Sequence, residues 1–381
     1  MDFTLTREQE MLRETVRAFA DEVLKPRAAG LDRSREFPLD NYRRCAELGL
    51  CGMMVPEAYG GAGFDGVSYV IGIEEVSRAC ASTGVILSVN NSLFCAPILR
   101  HGSEAQKTKY LAPHARGERI GAYCLTEPQA GSDAGALRTM ARRKGNTYVL
   151  SGNKVFVTNG VAAHTFIVYA TLDPALRHKG ICAFIVERGF PGLRLGKAEH
   201  KMGITCSGSV EIVLDQCEVP VENLLGNEGE GFKIAMGTLD GGRIGIAAQA
   251  IGIASAALEE SLAYSRSREA FGRPIADFQA IQWKLADMAT EIEAARLLAY
   301  RAAWARDNRD RCSLETSMAK LFASEACMRA AKEGVQIHGG YGYINEYTVE
   351  RLFRDAKITE IYEGTSEVQR LVISKEILRE D

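Results

Sequence analysis

The sequence has 381 residues, of which 46% are hydrophobic, and a formal net charge of −3. A chain of this length is expected to fold into two or three domains with ample apolar material for their cores. No run of like charges exceeds a few residues, which excludes a basic patch for nucleic acid and a polybasic membrane anchor.

The amino terminus and the cysteines indicate the cellular environment. The opening residues, MDFTLTREQE, lack the positive and apolar regions of a secretion signal, so we expect an intracellular protein. The ten cysteines show no C-x-x-C pair and no histidine partner at metal spacing. This pattern is typical of reduced, mostly buried thiols and predicts neither disulfides nor a metal site.

The chain begins with a helical region that extends to about residue 115. Thr6 and Gln9 form a capping-box pattern, and apolar residues follow at helical spacing, namely Leu12, Val16, Phe19 and Val23. Residues 61–66 formally match the G-x-G-x-x-G dinucleotide fingerprint. That fingerprint requires a βαβ unit, and helical patterns flank it on both sides. We therefore interpret it as a glycine-rich connection between helices.

The middle of the chain, between about residues 120 and 225, contains short β-rich runs separated by Gly, Asn and Pro. The predicted strands cover residues 148–150, 154–157, 165–171, 181–186 and 210–214. Strands confined to the middle of the chain argue against a doubly wound sheet.

From about residue 228 the helical period returns. The most apolar stretch, residues 244–258, is short for a membrane span and contains Gln249 and Ser255, which predicts a buried core helix. A stripe typical of a bundle helix follows at Ile281, Leu285, Met288, Ile292, Ala295 and Ala299. We predict an amino-terminal all-α domain at residues 1–118, a middle β domain at 119–226 and a carboxy-terminal helical bundle at 227–381.

Three glycine-containing segments are candidate binding loops. Residues 123–135, YCLTEPQAGSDAG, combine backbone amides with the hydroxyls of Thr126 and Ser132, which suits an anionic ring edge or a phosphate. By composition alone this segment could be a simple turn. Residues 336–343 permit close backbone approach to a ligand, and Arg268 lies near an aromatic residue in the segment REAFG, but each signal is weak by itself.

Glu363 stands at a predicted corner in the segment DAKITEIYEGTSEVQ. Gly364 interrupts the preceding helix, and Ser366 with Gln369 has the S-x-x-Q pattern of a capping box that opens a new helix. A carboxylate on such a corner can project into a cleft beside its own backbone amide, as a general base next to a polarised carbonyl requires. An isolated Glu-Gly pair is more often a solvated loop.

In this order and over the whole length, these segments resemble the acyl-CoA dehydrogenase family. Its signature segments are present at residues 124–136 and 336–357, and IYEGTSEVQR matches its active-site strip. Within the family the chain is most similar to short-chain, butyryl-CoA-type bacterial dehydrogenases. The resemblance implies an amino-terminal helical domain, a middle β-barrel-like domain and a carboxy-terminal four-helix bundle, which is the division that periodicity predicts.

The resemblance implies FAD, bound between the β domain and the bundle. By motif match, the isoalloxazine would be lined by Tyr123, Cys124, Leu125, Thr126, Gly131, Ser132, Phe156, Val157 and Thr158. The FAD of a neighbouring subunit would be reached by Arg268, Phe271, Gln279, Gln336, Ile337, His338, Gly339 and Gly340. A shared site of this kind implies at least a dimer, and in this family usually a tetramer built as a dimer of dimers. Thr365, Ser366 and Glu367 would contact FAD where free helix amides favour anionic groups.

Glu363 matches the family's catalytic base. It would remove the pro-R α-proton of an acyl-CoA while the β-hydrogen leaves as hydride to flavin N5, giving a trans-2-enoyl-CoA. The charge on the thioester oxygen would be stabilised by the backbone amide of Glu363 and a ribityl hydroxyl of FAD. Burial under substrate should raise the pKa of the glutamate toward neutrality.

Acyl-CoA contacts are implied for Ser132, Asp240, Gly241, Gly242, Arg243 and Gly364. Asp240 and Arg243 could instead be only an ion pair on one helix face. Isovaleryl- and long-chain-type relatives carry the base one residue before that arginine, where this chain has Gly242, so Glu363 is the only candidate. The helix predicted at residues 82–93 lacks the arginine of glutaryl-CoA-type relatives, which disfavours a dicarboxylyl substrate. Branched and cyclic acyl groups stay open.

The expected electron acceptor is electron-transfer flavoprotein. Glu199 matches a position that contacts it in relatives, although a glutamate there is equally well a surface charge. Phe156 replaces the tryptophan of many relatives beside the flavin, so contact with the acceptor can differ. The alternatives are an acyl-CoA oxidase that uses oxygen and a non-catalytic CoA-binding or scaffold protein. We expect a bacterial cytoplasmic protein, or a mitochondrial matrix protein for a mature eukaryotic form.

Overall fold

The computed structural model describes residues 4–379, and its amino-terminal region is helical. The helices are α1 (Arg7–Phe19), α2 (Lys25–Ser34), α3 (Leu39–Glu47), α4 (Gly66–Ala79), α5 (Ala81–Ser88), α6 (Ala96–His101), α7 (Glu104–Gln106) and α8 (Ala112–Ala115). The predicted capping box opens α1, because the Gln9 amide N–H donates to the Thr6 hydroxyl at 3.2 Å and Thr6 N donates to the Gln9 side chain at 3.0 Å. Residues 61–66 lead from a 3₁₀ turn at Glu57–Tyr59 into α4, so the fingerprint lies in a helix connection.

The middle region forms one sheet of eight strands. The strands are β1 (Gly121–Cys124), β2 (Met140–Lys144), β3 (Thr147–Val157), β4 (Thr165–Thr171), β5 (Ile181–Glu187), β6 (Leu193–Ala198), β7 (Val210–Pro220) and β8 (Leu224–Leu225). Their order is β6-β7-β3-β2-β4-β5-β8, with β1 paired to β4 in parallel. β4 is buried at every position and has the predicted bounds.

The separate strands predicted at residues 148–150 and 154–157 are wrong, because both belong to β3. The pairing of β3 with β7 shifts register between Leu150 and Gly152 and again between Lys154 and Val157. Such shifts let a strand continue through Ser-Gly-Asn, a sequence that looks like a turn.

The carboxy-terminal region is a helical bundle. It contains α9 (Gly231–Ser267), a short hairpin of β9 (Glu269–Ala270) and β10 (Arg273–Pro274), α10 (Gln279–Asn308), α11 (Ser313–His338), α12 (Thr348–Lys357) and α13 (Ser366–Ile377). The predicted stripe of α10 packs into one core that also includes residues of α1, α4 and α9. The two helical regions therefore share a hydrophobic core, and α9 lies at its centre, packed against α4, α10 and α11. The predicted fold class is confirmed.

The cysteines and the apolar helices fit this packing. All ten cysteines, each within the described residues, are buried free thiols. Two stretches among residues 4–379, Ala81–His101 and Gly231–Ser267, are long and apolar enough to cross a membrane by length and composition alone. Because 89% and 94% of their most apolar windows are buried inside the fold, they have the character of core helices. Across the same described range, no group of three His, Cys, Asp or Glu side chains could hold a metal.

Candidate active site

Glu363 lies at a corner between two helices. After α12, a 3₁₀ turn at Ile358–Glu360 ends the helical run. The backbone is then left-handed at Glu363, with φ 52°, and at Gly364, with φ 95°. Glycine adopts this conformation readily, but a left-handed glutamate persists only where its surroundings hold it.

Two buried side chains hold the backbone of this corner. The amide of Gln369 donates to the carbonyl oxygen of Glu363 at 3.2 Å and to that of Gly364 at 2.8 Å. The ammonium of Lys320, on α11, donates to the same Gly364 oxygen at 2.8 Å. Gln369 and Lys320 are both 0% exposed, so these hydrogen bonds form away from water, where they are electrostatically stronger.

The predicted capping box at Ser366 and Gln369 is wrong, because Thr365 caps α13. The Thr365 hydroxyl accepts a hydrogen bond from Val368 N at 3.3 Å. Ser366 is buried inside the first turn, and its hydroxyl has no partner among residues 4–379. Gln369 does not close the box: its Nε2 donates to the corner carbonyls, and its Oε1 is buried without a partner among residues 4–379, so it accepts nothing from the Ser366 backbone. Glu367 is exposed on the same turn.

The Glu363 carboxylate lies against α9. A Cβ built on Gly242 would be 1.8 Å from Glu363 Oε2 and 2.8 Å from Leu93 Cδ2. Within the part of the chain that the structure describes, Oε2 is buried without a hydrogen-bond partner. Burial raises the pKa of Glu363 to about 8, and the positive charges of Lys320 and Arg243 oppose that rise. The carboxylate is therefore poorly solvated and has a free oxygen that can accept a proton.

Asp240 and Arg243 form the ion pair that their spacing allows, at 2.8 Å. Arg243 also donates to Ser317 Oγ at 3.2 Å, and Asp240 accepts from Ser313 Oγ at 2.8 Å. The Nε atom of Arg243 is buried and has no partner within residues 4–379. The pair is thus anchored to α11, and its contact with acyl-CoA stays a prediction.

The other predicted acyl-CoA residues lie in different surroundings. Ser132 is exposed and Gly364 forms the corner. A Cβ on Gly241 would be 1.4 Å from Nη1 of Arg306, so a side chain there would displace that guanidinium.

The predicted flavin loop begins at the end of β1. Residues 123–126 are buried or half-buried, and the carbonyl of Thr126 accepts from Val155 N at 3.0 Å, which ties the loop to β3. Gly131 and Ser132 are exposed, and a Cβ on Gly131 would meet nothing within 4 Å. The loop therefore presents its backbone to open space.

Tyr123 connects this loop with the glutamate corner. Its ring lies 5.1 Å from that of Tyr169, and its hydroxyl donates to the Ala235 carbonyl at 3.4 Å. Burial is the largest cause that raises the pKa of Tyr123 well above its usual value. Tyr169 and the charge of Glu363 raise this pKa further. The end of β1 and the glutamate corner therefore face the same region.

A buried ion pair, which sequence reasoning missed, anchors the loop. Lys154 donates to Glu127 at 2.7 Å, with side chains 0% and 3% exposed, and to the Leu125 carbonyl at 3.1 Å. Glu127 also accepts from the backbone N–H of Arg138 at 2.6 Å and of Thr139 at 2.9 Å. These bonds tie both ends of the loop together. No sequence signal indicated it, because simple alternation places Lys154 on the face of the exposed Phe156, and only the register shift between Lys154 and Val157 separates the two.

Phe156 is presented to solvent by a distorted part of β3. Its side chain is 67% exposed and its φ is 58°, at the second register shift against β7. Val157 beside it is buried and Thr158 is half-buried. An exposed aromatic ring in a strained backbone suits a planar ligand stacked on it. With the open backbone at Gly131 and the unpartnered hydroxyl of Ser366, these residues fit the ring system of FAD.

Most of the residues predicted to reach a neighbouring subunit's FAD lie around the carboxy-terminal ends of α9 and α11, whereas Phe271 lies between β9 and β10 and Gln279 begins α10. A cavity of about 430 Å³ is lined by Tyr264, Arg268, Ile275, Ile337, His338, Gly339, Gly340, Tyr341 and Ile344. The Arg268 guanidinium lies 5.7 Å from the Tyr341 ring centroid, and His338 stacks on Tyr264 at 4.2 Å. The structure thus brings Arg268 and residues 337–340 together, as one shared ligand would require.

Three predicted residues are not part of this cavity lining. Phe271, Gln279 and Gln336 are all exposed, Phe271 at 96%. Glu199, predicted to touch the electron acceptor, is half-buried, and its backbone N–H donates to the Ser209 carbonyl at 3.0 Å.

Lys320 and Gln369 are the site residues that sequence reasoning missed at the corner. Lys320 lies on the face of α11 that also carries the buried residues Thr316, Ala323 and Cys327. A lysine within such a buried stripe was the available signal.

Comparisons with known proteins identify the family of the chain. Three family models match the chain, described as the acyl-CoA dehydrogenase N-terminal domain (residues 6–118), middle domain (residues 122–217) and C-terminal domain (residues 229–378). The chain belongs to the acyl-CoA dehydrogenase family.

Relatives of this acyl-CoA dehydrogenase match it end to end. The short-chain specific acyl-CoA dehydrogenase of Clostridium acetobutylicum is 52% identical, with 100% of each chain covered. The structure of butyryl-CoA dehydrogenase from Megasphaera elsdenii is 46% identical, with a TM-score of 0.97 and 100% of each chain covered. A structure described as the electron transferring flavoprotein of Acidaminococcus fermentans, on flavin-based electron bifurcation, is 50% identical, with a TM-score of 0.98 and 100% of each chain covered.

The predicted resemblance is confirmed. As an acyl-CoA dehydrogenase, the protein is an oxidoreductase whose cofactor is FAD, and the exposed Phe156 and the open loop at Gly131 fit that cofactor.

Proposed function

We propose that the chain oxidises a short-chain acyl-CoA thioester to the trans-2-enoyl-CoA, with Glu363 as the base that removes the α-proton. The observation that carries this proposal is the state of the Glu363 carboxylate. It is held at a left-handed corner, lies against Gly242, and has a buried oxygen without a partner among residues 4–379.

The surroundings of Glu363 suit proton abstraction. A carboxylate of ordinary pKa is a weak base toward a thioester α-carbon. Because burial raises the pKa of Glu363 to about 8, its proton affinity is better matched to this transfer near neutral pH. Its fixed backbone keeps the carboxylate in place, so little reorientation precedes the transfer.

FAD, when bound, supplies the acceptor for the hydride that leaves the β-carbon. The residues that would hold its ring are Tyr123, Cys124, Leu125, Thr126, Gly131, Ser132, Phe156, Val157, Thr158, Thr365, Ser366 and Glu367. The buried Lys154–Glu127 pair would keep the loop that carries several of them in one conformation.

A short, uncharged acyl group fits the wall opposite the base. Leu93 lies in the buried π-helical segment Val89–Cys95, which continues α5, and it approaches the position of Gly242 beside Glu363. Neither α5 nor this continuation carries a charged residue. A distal carboxylate would lack a cation on that helix. The names of the Clostridium acetobutylicum and Megasphaera elsdenii relatives, short-chain specific and butyryl-CoA dehydrogenase, support the same choice.

The proposed acceptor is electron-transfer flavoprotein, supported by the description of the Acidaminococcus fermentans structure. The proposed assembly is a tetramer built as a dimer of dimers, in which the cavity of Arg268 and residues 337–340 meets a neighbouring subunit's FAD.

We propose domain boundaries between residues 118 and 119 and between residues 226 and 227. We place the enzyme in the bacterial cytoplasm, or in the mitochondrial matrix for a mature eukaryotic form.

Anaerobic bleaching of the bound flavin by a panel of CoA thioesters tests this function. Butyryl-CoA should reduce the flavin faster than long-chain, branched, cyclic or glutaryl thioesters. If glutaryl-CoA reduced the flavin fastest, the assignment of a short, uncharged substrate would be wrong. If the purified protein did not bind flavin, the proposed dehydrogenase activity would be wrong. Faster reoxidation by oxygen than by electron-transfer flavoprotein would instead indicate an acyl-CoA oxidase.

A further inference from the structure

Lys320 is a buried ammonium next to the proposed base. It is 0% exposed, and its Nζ donates to the Gly364 carbonyl at 2.8 Å. Within residues 4–379 it forms no direct ion pair with a carboxylate. A buried cation without a paired anion is costly, so its presence calls for a specific gain.

A hydrogen bond alone does not explain the choice of lysine. The Gly364 carbonyl already accepts a hydrogen bond from the Gln369 amide at 2.8 Å, so a neutral side chain can also donate to this oxygen. What Lys320 adds is positive charge. That charge acts on Glu363, the residue that precedes this carbonyl, and it opposes the effect of burial on the glutamate.

We propose that Lys320 is a positioning residue for the reaction: its ammonium fixes the Gly364 carbonyl and supplies the charge that favours the ionised form of Glu363. The inference rests on the proposed function, because it assigns Lys320 a task through the proposed base.

The other charges around this pair come from several elements. α9 contributes Arg243, paired with Asp240. Glu360 and Glu367 approach Lys320 from the turn after α12 and from α13. The negative charge of Glu363 contributes to the raised pKa of three tyrosines, namely Tyr69 of α4, Tyr123 of β1 and Tyr362 of the corner.

Burial lowers the pKa of Lys320 to about 8, and Glu363 and the two other glutamates favour its charged form. Arg243 also stabilises ionised Glu363, but it is already neutralised in part by Asp240. Lys320 is therefore the cation whose removal should change the ionisation of the base most directly.

The test compares Lys320→Gln, which removes the charge but keeps a donor, with Lys320→Arg, which keeps the charge. Lys357→Met is the matched control, because that lysine forms an exposed ion pair with Glu360 shortly before the corner. All three proteins are purified with FAD, and the rate of anaerobic flavin reduction by butyryl-CoA is measured from pH 6 to 10 at saturating and limiting substrate.

In Lys320→Gln the midpoint of the pH profile should rise by about one pH unit, the low end of the effect of a neighbouring opposite charge. The limiting rate at pH 7 should fall about tenfold, with little change in the half-saturating substrate concentration. Lys320→Arg and Lys357→Met should keep the wild-type midpoint. An unshifted midpoint in Lys320→Gln, or an equal loss of rate at every pH in both Lys320 variants, would overturn the inference.

A second readout needs no turnover. The infrared band of a protonated carboxyl that is present in the wild type and absent in Glu363→Gln reports the protonation of Glu363 directly. That band should persist to higher pH in Lys320→Gln than in the wild type. If no acyl-CoA reduces the flavin but this band shifts, the proposed function fails while the role of Lys320 stands; if the flavin is reduced and the band does not shift, only the inference on Lys320 fails.

Discussion

The Glu363 carboxylate lies in the space that a side chain at position 242 of α9 would fill. A Cβ on Gly242 would lie 1.8 Å from Glu363 Oε2 and 2.7 Å from its Cδ, closer than packed carbon and oxygen atoms can approach. Glycine at position 242 is therefore the condition for a carboxylate from position 363 to rest on α9.

Gly242→Ala should displace the Glu363 carboxylate without removing it. Misplacement of a reacting group by about 1 Å can cost about 10²-fold in rate, so we expect flavin reduction by butyryl-CoA to slow by at least about tenfold. FAD content should stay near that of the wild type. Stopped-flow flavin bleaching measures the effect.

Gly237→Ala is the control on the same helix. A Cβ on Gly237 meets nothing within 4 Å, so the change should stabilise α9 by about 0.5–1 kcal/mol and leave the rate unchanged. Equal rates in the two alanine variants would mean that Glu363 does not depend on the space at Gly242.

Lys154→Met should loosen the predicted flavin loop. It leaves Glu127, 3% exposed, as an uncompensated buried charge, which costs about 3–5 kcal/mol in other proteins. We expect a lower unfolding temperature and partial loss of FAD on gel filtration. Adding Glu127→Gln should recover part of the stability, because the unpaired charge is then removed.

The control for this pair is Arg194→Met. Arg194 pairs with Asp215 on the surface of the same sheet, with both side chains 66% exposed. An exposed pair contributes about 0–1 kcal/mol, so the unfolding temperature should hardly change. A Lys154→Met protein as stable as Arg194→Met would contradict the role given to the buried pair.

Thr365→Ala and Ser366→Ala should separate the two candidate caps of α13. The Thr365 hydroxyl accepts from Val368 N, and loss of such a cap costs about 1 kcal/mol. Hydrogen exchange at the Val368 amide should therefore accelerate in Thr365→Ala and stay slow in Ser366→Ala. The reverse result would restore Ser366 as the capping residue.

The corner illustrates what the sequence could predict. Gly364 marks the break between helices because glycine tolerates a left-handed backbone, and this local signal placed Glu363 correctly. The side chains that hold this corner, Lys320 and Gln369, could not be predicted from a local signal of this kind. Thr365 and Ser366 are both competent caps, and only the folded structure shows that Thr365 caps α13 while Ser366 is buried.

The β domain shows the same division between local and long-range information. β4 was predicted with its observed bounds because an unbroken apolar run has few alternatives. The sequence predicts two strands in place of β3 because Ser-Gly-Asn looks like a turn. In the structure, pairing with β7 continues the strand through two register shifts. The exposure of Phe156 and the burial of Lys154 also depend on that pairing, since sequence alone does not reveal which partner each residue meets.

The most direct test of the central claim is the pH dependence of flavin reduction in the wild type and in Glu363→Gln. Burial raises the pKa of Glu363 to about 8, so its reactive, deprotonated form grows as pH increases. The wild-type rate at limiting butyryl-CoA should rise from pH 6, reach half of its maximum near about pH 8 and level off above about pH 9, while Glu363→Gln should bind FAD and acyl-CoA but react about 10²- to 10⁴-fold more slowly. Near-normal flavin reduction in Glu363→Gln would contradict the assignment of Glu363 as the base.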